Sequence, residues 1–183
     1  MDLSDEQIAK HAQAGDMESF GILVERYKAK LMRYGNKLLF NRGDVEDIVQ
    51  EVFIKVYRNL KSFDPARKFS AWIYRIAHNE FINHGKKFSR QLTDYFDFEV
   101  LLPKAPAAAD RLAEEFDLQS LKDKLGESLP KLDSKYREPL VLYFLEELDY
   151  KEIAEVLHLP VNTVGIRIMR GKEQLRKIFN QSL

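Results

Sequence analysis

Basic and aromatic residues alternate between Arg67 and Arg90, and together they could bind nucleic acid. The cations are Arg67, Lys68, Arg75, Lys86, Lys87 and Arg90, interleaved with the rings of Phe69, Trp72, Tyr74, Phe81 and Phe88. Cations attract phosphates, and an aromatic ring can stack on an unpaired base, each stacked base contributing roughly 1–3 kcal/mol. Glu80 alone opposes these charges within the stretch. The pattern therefore predicts a surface for single-stranded nucleic acid.

The same rings also fit a second interpretation, the core of a helical domain. Phe69, Trp72, Ile73, Ile76, Ala77 and Phe81 follow helical spacing. Such spacing is typical of a helix that packs one face against its neighbours. The rings alone leave both interpretations open, and the charges favour nucleic acid.

The residues before this stretch carry the opposite charge. Asp44 can cap a helix, and apolar residues follow it at three-and-four spacing up to Leu60. The other face of this predicted helix begins acidic, with Glu46, Asp47 and Glu51. Because acidic groups repel phosphates, the two adjacent helices indicate two different partners.

Helical spacing also predicts the elements that must position these residues. Helices are expected from Asp5 to before Gly15 and from Met17 to about Phe40. Pro65 should end the acidic helix, and the basic aromatic helix should begin near Phe69. We therefore expect an all-α protein of two small helical domains joined by a linker.

The last third of the chain predicts a helix-turn-helix. Ser134 can cap a helix through about Glu147, and Asp149 can cap a second from Tyr150 to Leu157. After a turn at His158, Pro160 opens the last helix. In this arrangement the last helix enters the major groove of duplex DNA.

Polar and basic residues of the last helix are candidates for reading DNA. They lie off a predicted core stripe of Val161, Val164, Ile168, Leu175 and Phe179, and they are Asn162, Thr163, Ile166, Arg167, Arg170 and Lys172. Arginine can read guanine, asparagine can read adenine, and a cation can instead hold a phosphate. Gly165 lies among them and weakens the helix by about 1 kcal/mol relative to alanine.

Two groups of motifs resemble the small sigma factors of bacterial RNA polymerase, the extracytoplasmic-function type. The first group is Asp47-Ile48-Val49-Gln50-Glu51-Val52-Phe53, Phe69-Ser70-Ala71-Trp72-Ile73 and Ile76-Ala77-His78-Asn79. It resembles the domain that melts promoters. The second group is Leu129-Pro130, Tyr136-Arg137-Glu138, Tyr150 to Ala154 and Asn162-Thr163-Val164, which resemble the domain that reads the −35 element.

The resemblance implies roles for three sets of residues. The polymerase-binding set is Asp47, Gln50, Glu51 and Phe53. The −10 set, which would hold the melted strand, is Lys61, Arg67, Lys68, Trp72, Arg75, Asn79, Lys86 and Lys87. The −35 set is Asn162, Thr163, Ile166, Arg167, Arg170 and Lys172. The implied partners are core RNA polymerase through its β′ clamp helices and β flap, promoter DNA, and an anti-sigma factor.

The expected domain division follows from the same patterns. Residues 1–88 should form the polymerase-binding and promoter-melting domain, and residues 110–183 the helix-turn-helix domain. Between them, residues 89–109 are acidic and rich in proline and alanine, which indicates a linker. In the resembling family, the corresponding linker threads through polymerase.

Composition argues against catalysis and against a membrane protein. The chain has 183 residues, 29 Lys and Arg against 29 Asp and Glu, and no cysteine, so thiolate metal sites and disulfides are excluded. It contains neither an HExxH motif nor a glycine-rich phosphate loop, and its histidines, His11, His78, His84 and His158, are scattered. We expect no enzyme activity, no metal and no cofactor. Without a signal-like start or an apolar span, we expect a cytoplasmic protein with no membrane insertion.

Two alternatives stay open at this point. A helix-turn-helix regulator that binds duplex DNA without polymerase would leave the acidic helix unexplained. A DNA-processing enzyme such as a recombinase would need a nucleophile with clustered arginines or a carboxylate metal site. Asp47 with Glu51 is too little for such a metal site.

Overall fold

The computed structural model describes residues 3–39, 45–91 and 128–180, and within them the regular structure is helical, with no strand. The helices are α1 (Asp5–Gln13), α2 (Met17–Leu39), α3 (Val45–Asn59), α4 (Phe69–Gln91), α5 (Ser134–Phe144), α6 (Tyr150–Leu157) and α7 (Val161–Asn180). Short 3-10 turns occupy Leu60–Ser62 and Leu129–Lys131. The all-α prediction is confirmed for these residues.

Side-chain caps fix most of the helix starts that the sequence predicts. The Ser4 hydroxyl accepts from the backbone N–H of Gln7, whose side chain accepts from Ser4 in return. Asp149 and Glu152 form the same reciprocal pair at the start of α6. The prediction for α5 is one residue off, because Asp133 is the cap and Ser134 is already helical. The predicted cap Asp44 lies outside the described residues.

Buried rings hold α2 against α4 in the first domain. Tyr34 meets Tyr74 and Phe81 edge to face, with ring centroids 5.5 and 5.8 Å apart. Gly35 lets these helices approach, since a Cβ there would lie 2.5 Å from the Phe81 ring. The packing of α3 onto this pair aligns the acidic helix beside the basic aromatic one.

The helix-turn-helix is built from α5, α6 and α7. His158 ends α6 with φ 54° and ψ 44°, the left-handed conformation that histidine adopts more readily than most residues. Val164, Ile168 and Leu175 form the buried stripe of α7. Val161 was expected in that stripe but is 41% exposed, because it is the first residue of the helix and precedes the first turn that packs on α5 and α6. The side chain of Phe179 lies outside the description.

The end of α4 overlaps the start of the predicted linker. Because α4 continues through Gln91, residues 89–91 are helical. The rest of the predicted linker, residues 92–109, and the helix expected from Asp110 lie outside the described residues.

Two glycines of α7 should respond oppositely to alanine. At Gly171 a Cβ would lie 2.6 Å from Leu140 Cδ1, whereas at Gly165 the nearest atom, Tyr150 Cε2, would be 3.5 Å away. We expect Gly171→Ala to lower the free energy of unfolding by roughly 1–3 kcal/mol. Gly165→Ala should raise it by about 0.5–1 kcal/mol through helix propensity. Urea unfolding of both variants checks this, and equal effects would contradict the packing described for Gly171.

Candidate nucleic-acid and protein interfaces

The −10 surface, as we call the −10 set of residues, is organised around Trp72. Its indole packs on the buried rings of Phe63 and Phe69, at centroid distances of 5.1 and 5.7 Å. Phe63 is placed there by the 3-10 turn after α3 and Phe69 by the first turn of α4. Trp72 itself remains half-exposed, so part of its ring is open to a ligand.

Cations surround this ring. Arg67, Lys68, Trp72 and Arg75 line one small cavity together with Ser62, Phe63, Asp64 and Glu155. Lys61 and Asn79 are exposed but do not line that cavity. The side chains of Lys86 and Lys87 lie outside the description. The structure therefore gathers four of the predicted −10 residues around one depression.

Most other rings of the aromatic stretch are core rather than stacking platforms. Phe69, Tyr74 and Phe81 are at most 1% exposed. Their positions agree with the second interpretation of the sequence, and they separate structural rings from Trp72. Only a half-exposed ring can offer a face to a base.

The predicted polymerase residues divide over two sides of α3. Gln50 and Phe53 line a groove between α2 and α3, whose other lining residues are Val24, Lys28, Met32, Glu46, Val49 and Ile54. Asp47 and Glu51 are exposed but do not line this groove. Sequence reasoning missed the α2 wall; the signal that could have indicated a groove is Ile54 of α3, an apolar side chain that is half exposed and lines it.

Glu51 faces α4 on the other side. Its carboxylate lies 3.1 Å from His84 Nε2, while Lys55 pairs with Glu80 at 2.5 Å. Within the described ranges, Glu51, Glu80 and His84 form a group whose ligand-type atoms lie within 4.8 Å of one another. Because Lys55 already neutralises Glu80, this group is better explained as an ion-pair network between helices than as a metal site.

The −35 set lies on two faces of α7. Asn162 and Arg170 are exposed, and Thr163, Ile166 and Arg167 are partly so. Lys172 is turned away from them, because its ammonium lies 5.0 Å from the centre of the Phe144 ring and 5.5 Å from that of Tyr143. Burial lowers the pKa of Lys172. The first five residues could reach DNA together, while Lys172 contacts α5.

Glu138 of α5 is a half-buried acid beside this helix. Burial raises its pKa to about 7, and the nearby Arg137 and Arg167 only partly oppose that effect. The Glu138 charge in turn contributes to a raised pKa of Tyr34, so the carboxyl lies near α2. No sequence pattern indicated this partial burial.

Glu138→Gln should change the pH dependence of stability. The folded protein binds more protons at Glu138 than the unfolded chain between the ordinary pKa of 4.5 and about 7, so stability falls as pH rises through this window. Glutamine does not titrate, so the free energy of unfolding of the variant, relative to that of the parent, should rise by roughly 1–3 kcal/mol from about pH 4.5 to pH 8. The lowered pKa of His78 makes stability change with pH in the opposite direction. This effect is the same in the parent and the variant, so it cancels in the difference between them. Urea unfolding measures the gain, and the exposed Glu173→Gln should show none.

His78 of α4 is half-buried in the structure. Its Nδ1 lies 2.9 Å from the Tyr34 hydroxyl. Burial, and to a lesser extent the neighbouring His158, lowers the pKa of His78 to about 4. Since His158 belongs to the helix-turn-helix, α4 is in contact with that domain.

A buried carboxylate joins the two parts of the chain. Glu146, between α5 and α6, has a fully buried side chain and accepts from Arg33 Nε and Nη2 at 2.9 and 2.8 Å. The Tyr74 hydroxyl donates to the same carboxylate at 2.5 Å. Arg33 lies on α2 and Tyr74 on α4, so one acid links three elements. Sequence reasoning missed these residues.

Two further polar contacts join α6 to the start of α4. Arg67 Nη2 pairs with Glu155 at 2.8 Å, and the Ser70 hydroxyl donates to Glu152. Glu155 thereby completes the lining of the cavity beside Trp72.

No helix among the described residues has the length and apolarity that crossing a bilayer needs.

Comparisons with known proteins match both parts of the chain. The family description Sigma-70 region 2 matches residues 23–91, and Sigma-70, region 4 matches residues 122–175. The ECF RNA polymerase sigma factor SigW of Bacillus subtilis (strain 168) is 39% identical over 175 residues, 92% of each chain. The ECF RNA polymerase sigma-E factor of Escherichia coli (strain K12) is 33% identical over 181 residues, 94% of this chain and 93% of that one. The solved structure of CnrH in complex with the cytosolic domain of CnrY has a TM-score of 0.73 at 27% identity, covering 98% of this chain and 99% of that chain.

Proposed function

This chain belongs to the extracytoplasmic-function group of the sigma-70 family, and from that premise we propose how its surfaces serve transcription initiation. It is a sigma factor that binds core RNA polymerase and directs initiation at specific promoters. The observation that carries this function is the order of two family matches, region 2 before region 4, along a chain that its relatives match nearly end to end. A regulator that acts without polymerase would need no region 2.

Core polymerase binds the side of the first domain formed by α3. The α2–α3 groove supports this assignment, because Gln50 and Phe53 offer an amide and an apolar ring at its edge. Asp47 and Glu51 add exposed carboxylates that suit a basic partner surface. The β′ clamp helices are the partner proposed for this side and the β flap is the partner proposed for the second domain.

The −10 surface holds the melted strand. Trp72 supplies a partly open ring, and Arg67, Lys68 and Arg75 supply charge around the same depression. A base stacked on the ring would leave its phosphates within reach of these cations. Asn79, Lys86 and Lys87 extend the proposed strand path along α4, and Lys61 extends it to the 3-10 turn after α3.

The −35 element is read by α7. Asn162, Thr163, Ile166, Arg167 and Arg170 are the residues proposed for the major groove. Lys172 is the weakest member of the original set, because its ammonium already lies over two rings of α5.

The proposed domain division keeps residues 1–88, 89–109 and 110–183 as melting domain, linker and helix-turn-helix domain. Sigma factors are non-catalytic initiation factors, and we expect no enzyme activity from this chain. The cytoplasm is the proposed location, because core polymerase works there. An anti-sigma factor is a proposed partner on the ground of family membership.

Run-off transcription tests this function. Purified core polymerase and a library of genomic fragments are incubated with and without the protein. Discrete transcripts that depend on the protein are expected, and their start sites give the −10 and −35 sequences. Failure to bind core polymerase at low salt would refute the function.

A further inference from the structure

One side of α6 is acidic and faces the basic start of α4. Glu155 pairs with Arg67, and Glu152 accepts from Ser70 while its second oxygen accepts from the Asp149 backbone. A helix that lies near DNA phosphates gains nothing from carboxylates on its surface. The charge of Glu152 and Glu155 instead matches the cations of the −10 surface.

The contact is anchored by a buried charge. Both oxygens of Glu146 accept hydrogen bonds from Arg33, and Tyr74 adds a third, so the fully buried carboxylate is satisfied. A buried carboxylate without such partners would strongly oppose this packing. Because the hydrogen-bond donors to Glu146 come from both α2 and α4, this contact is a specific interface between the two parts of the chain.

The interface covers part of the proposed DNA site. Glu155 lines the same cavity as Arg67, Trp72 and Arg75. Its carboxylate stands beside the cation and ring that a strand would need. A phosphate and this carboxylate cannot both pair with Arg67 in the same place.

We propose that, in the free protein, the helix-turn-helix domain closes over the −10 surface, with Glu146 as the anchor and Glu155 in the place of a DNA phosphate. Single-stranded DNA and α6 then compete for one surface, and the chain masks its own DNA site without a second protein. This inference rests on the assignment of the −10 surface made under the proposed function. It adds the partner that occupies that surface before promoter binding.

The strength of closure depends on Glu146 and its hydrogen-bond partners more than on the ion pair between Arg67 and Glu155. Arg67 and Glu155 are each about half exposed, and exposed ion pairs contribute little in water. Glu146 is buried and bonded to both helices, so removal of its charge partner should open the contact. Arg33 and Glu146 are therefore the residues to exchange, and neither belongs to the proposed DNA-binding sets.

Distance measurements on the full chain test closure directly. The chain has no cysteine, so Lys10→Cys and Lys177→Cys, at exposed positions of α1 and α7, can carry a fluorescent pair without background labelling. Glu146→Arg and Arg33→Glu should each lengthen the distance between the labels. The exchange Arg33→Glu with Glu146→Arg should restore most of the shorter distance. Circular dichroism identifies a variant that fails to fold, and the other single variant then decides.

Binding of a random-sequence single-stranded oligonucleotide gives the second readout. Closure that is coupled to DNA binding should make both single variants bind at least about fivefold tighter than the parent, with the exchange returning towards the parent. Glu155→Gln should give a smaller gain. Unchanged label distance and unchanged affinity in the folded single variants would overturn the proposal.

The two proposals fail in different ways. If neither the parent nor any variant supports run-off transcription, the proposed function fails, while the label distances still report whether the domains close. If transcription is supported but the single variants remain as compact as the parent, closure through Glu146 is wrong and the function stands.

Discussion

Reversal of two charges, Asp47→Lys with Glu51→Lys, is expected to weaken binding to core polymerase by at least about a hundredfold. Loss of one member of an interfacial charge pair costs about 2–5 kcal/mol, and reversal adds repulsion. Both side chains are exposed, so the effect on folding should be small. The largest structural losses are an exposed contact between Glu51 and His84 and a favourable charge in the first turn of α3.

A matched control separates this surface from net charge. Glu18→Lys with Glu173→Lys makes the same charge change on exposed positions of α2 and α7. Co-purification with core polymerase should survive in the control and disappear in the test variant. Duplex binding through α7 should survive in both. Equal losses of co-purification would show that α3 is not the docking surface.

The groove suggests how the binding energy is divided. Acidic residues at an interface steer association and contribute to affinity, while buried apolar anchors carry much of the rest. Phe53 and the half-exposed Ile54 are the apolar groups available at the edge of the groove. Because salt screens exposed charges, the loss of polymerase affinity in the charge-reversal variant should become smaller as ionic strength rises.

Local rules made most of the helices readable from sequence. Asp149 and Glu152 lie three residues apart, which is the spacing of a reciprocal cap, and the structure shows that cap. His158 at the following turn adopts the left-handed conformation that the turn needs. These features depend on neighbours in sequence, so pattern and propensity suffice.

Contacts between distant residues could not be read in this way. Arg33 and Glu146 meet although 113 positions separate them, and neither residue type signals the other. The half-buried His78 depends on the same packing, which brings His158 next to it. Trp72 and three of the predicted cations line one cavity, but sequence patterns could not include Glu155, which comes from the other domain.

Trp72 illustrates why a ring in a helical pattern is ambiguous until its packing is known. Phe69 and Ile73 lie near it on the same helix and are fully buried, whereas Trp72 covers Phe63 and Phe69 from the outside. The indole therefore has both a structural side and an open side. An experiment on Trp72 must distinguish lost stability from lost stacking.

Trp72→Ala is expected to lower single-strand affinity by roughly 1–3 kcal/mol, the contribution of one stacked base. The measurement should use the Glu146→Arg background, so that closure does not compete, and permanganate reactivity of promoter DNA in the polymerase complex should fall in parallel. Ile73→Ala is the control, because it removes buried packing from the next residue of α4 and should lower unfolding free energy by about 2–5 kcal/mol without touching DNA. If Trp72 stacks on a base, its variant loses strand binding at temperatures where both variants are folded, and the control does not. Equal strand affinity for the two folded variants would assign Trp72 to the core alone.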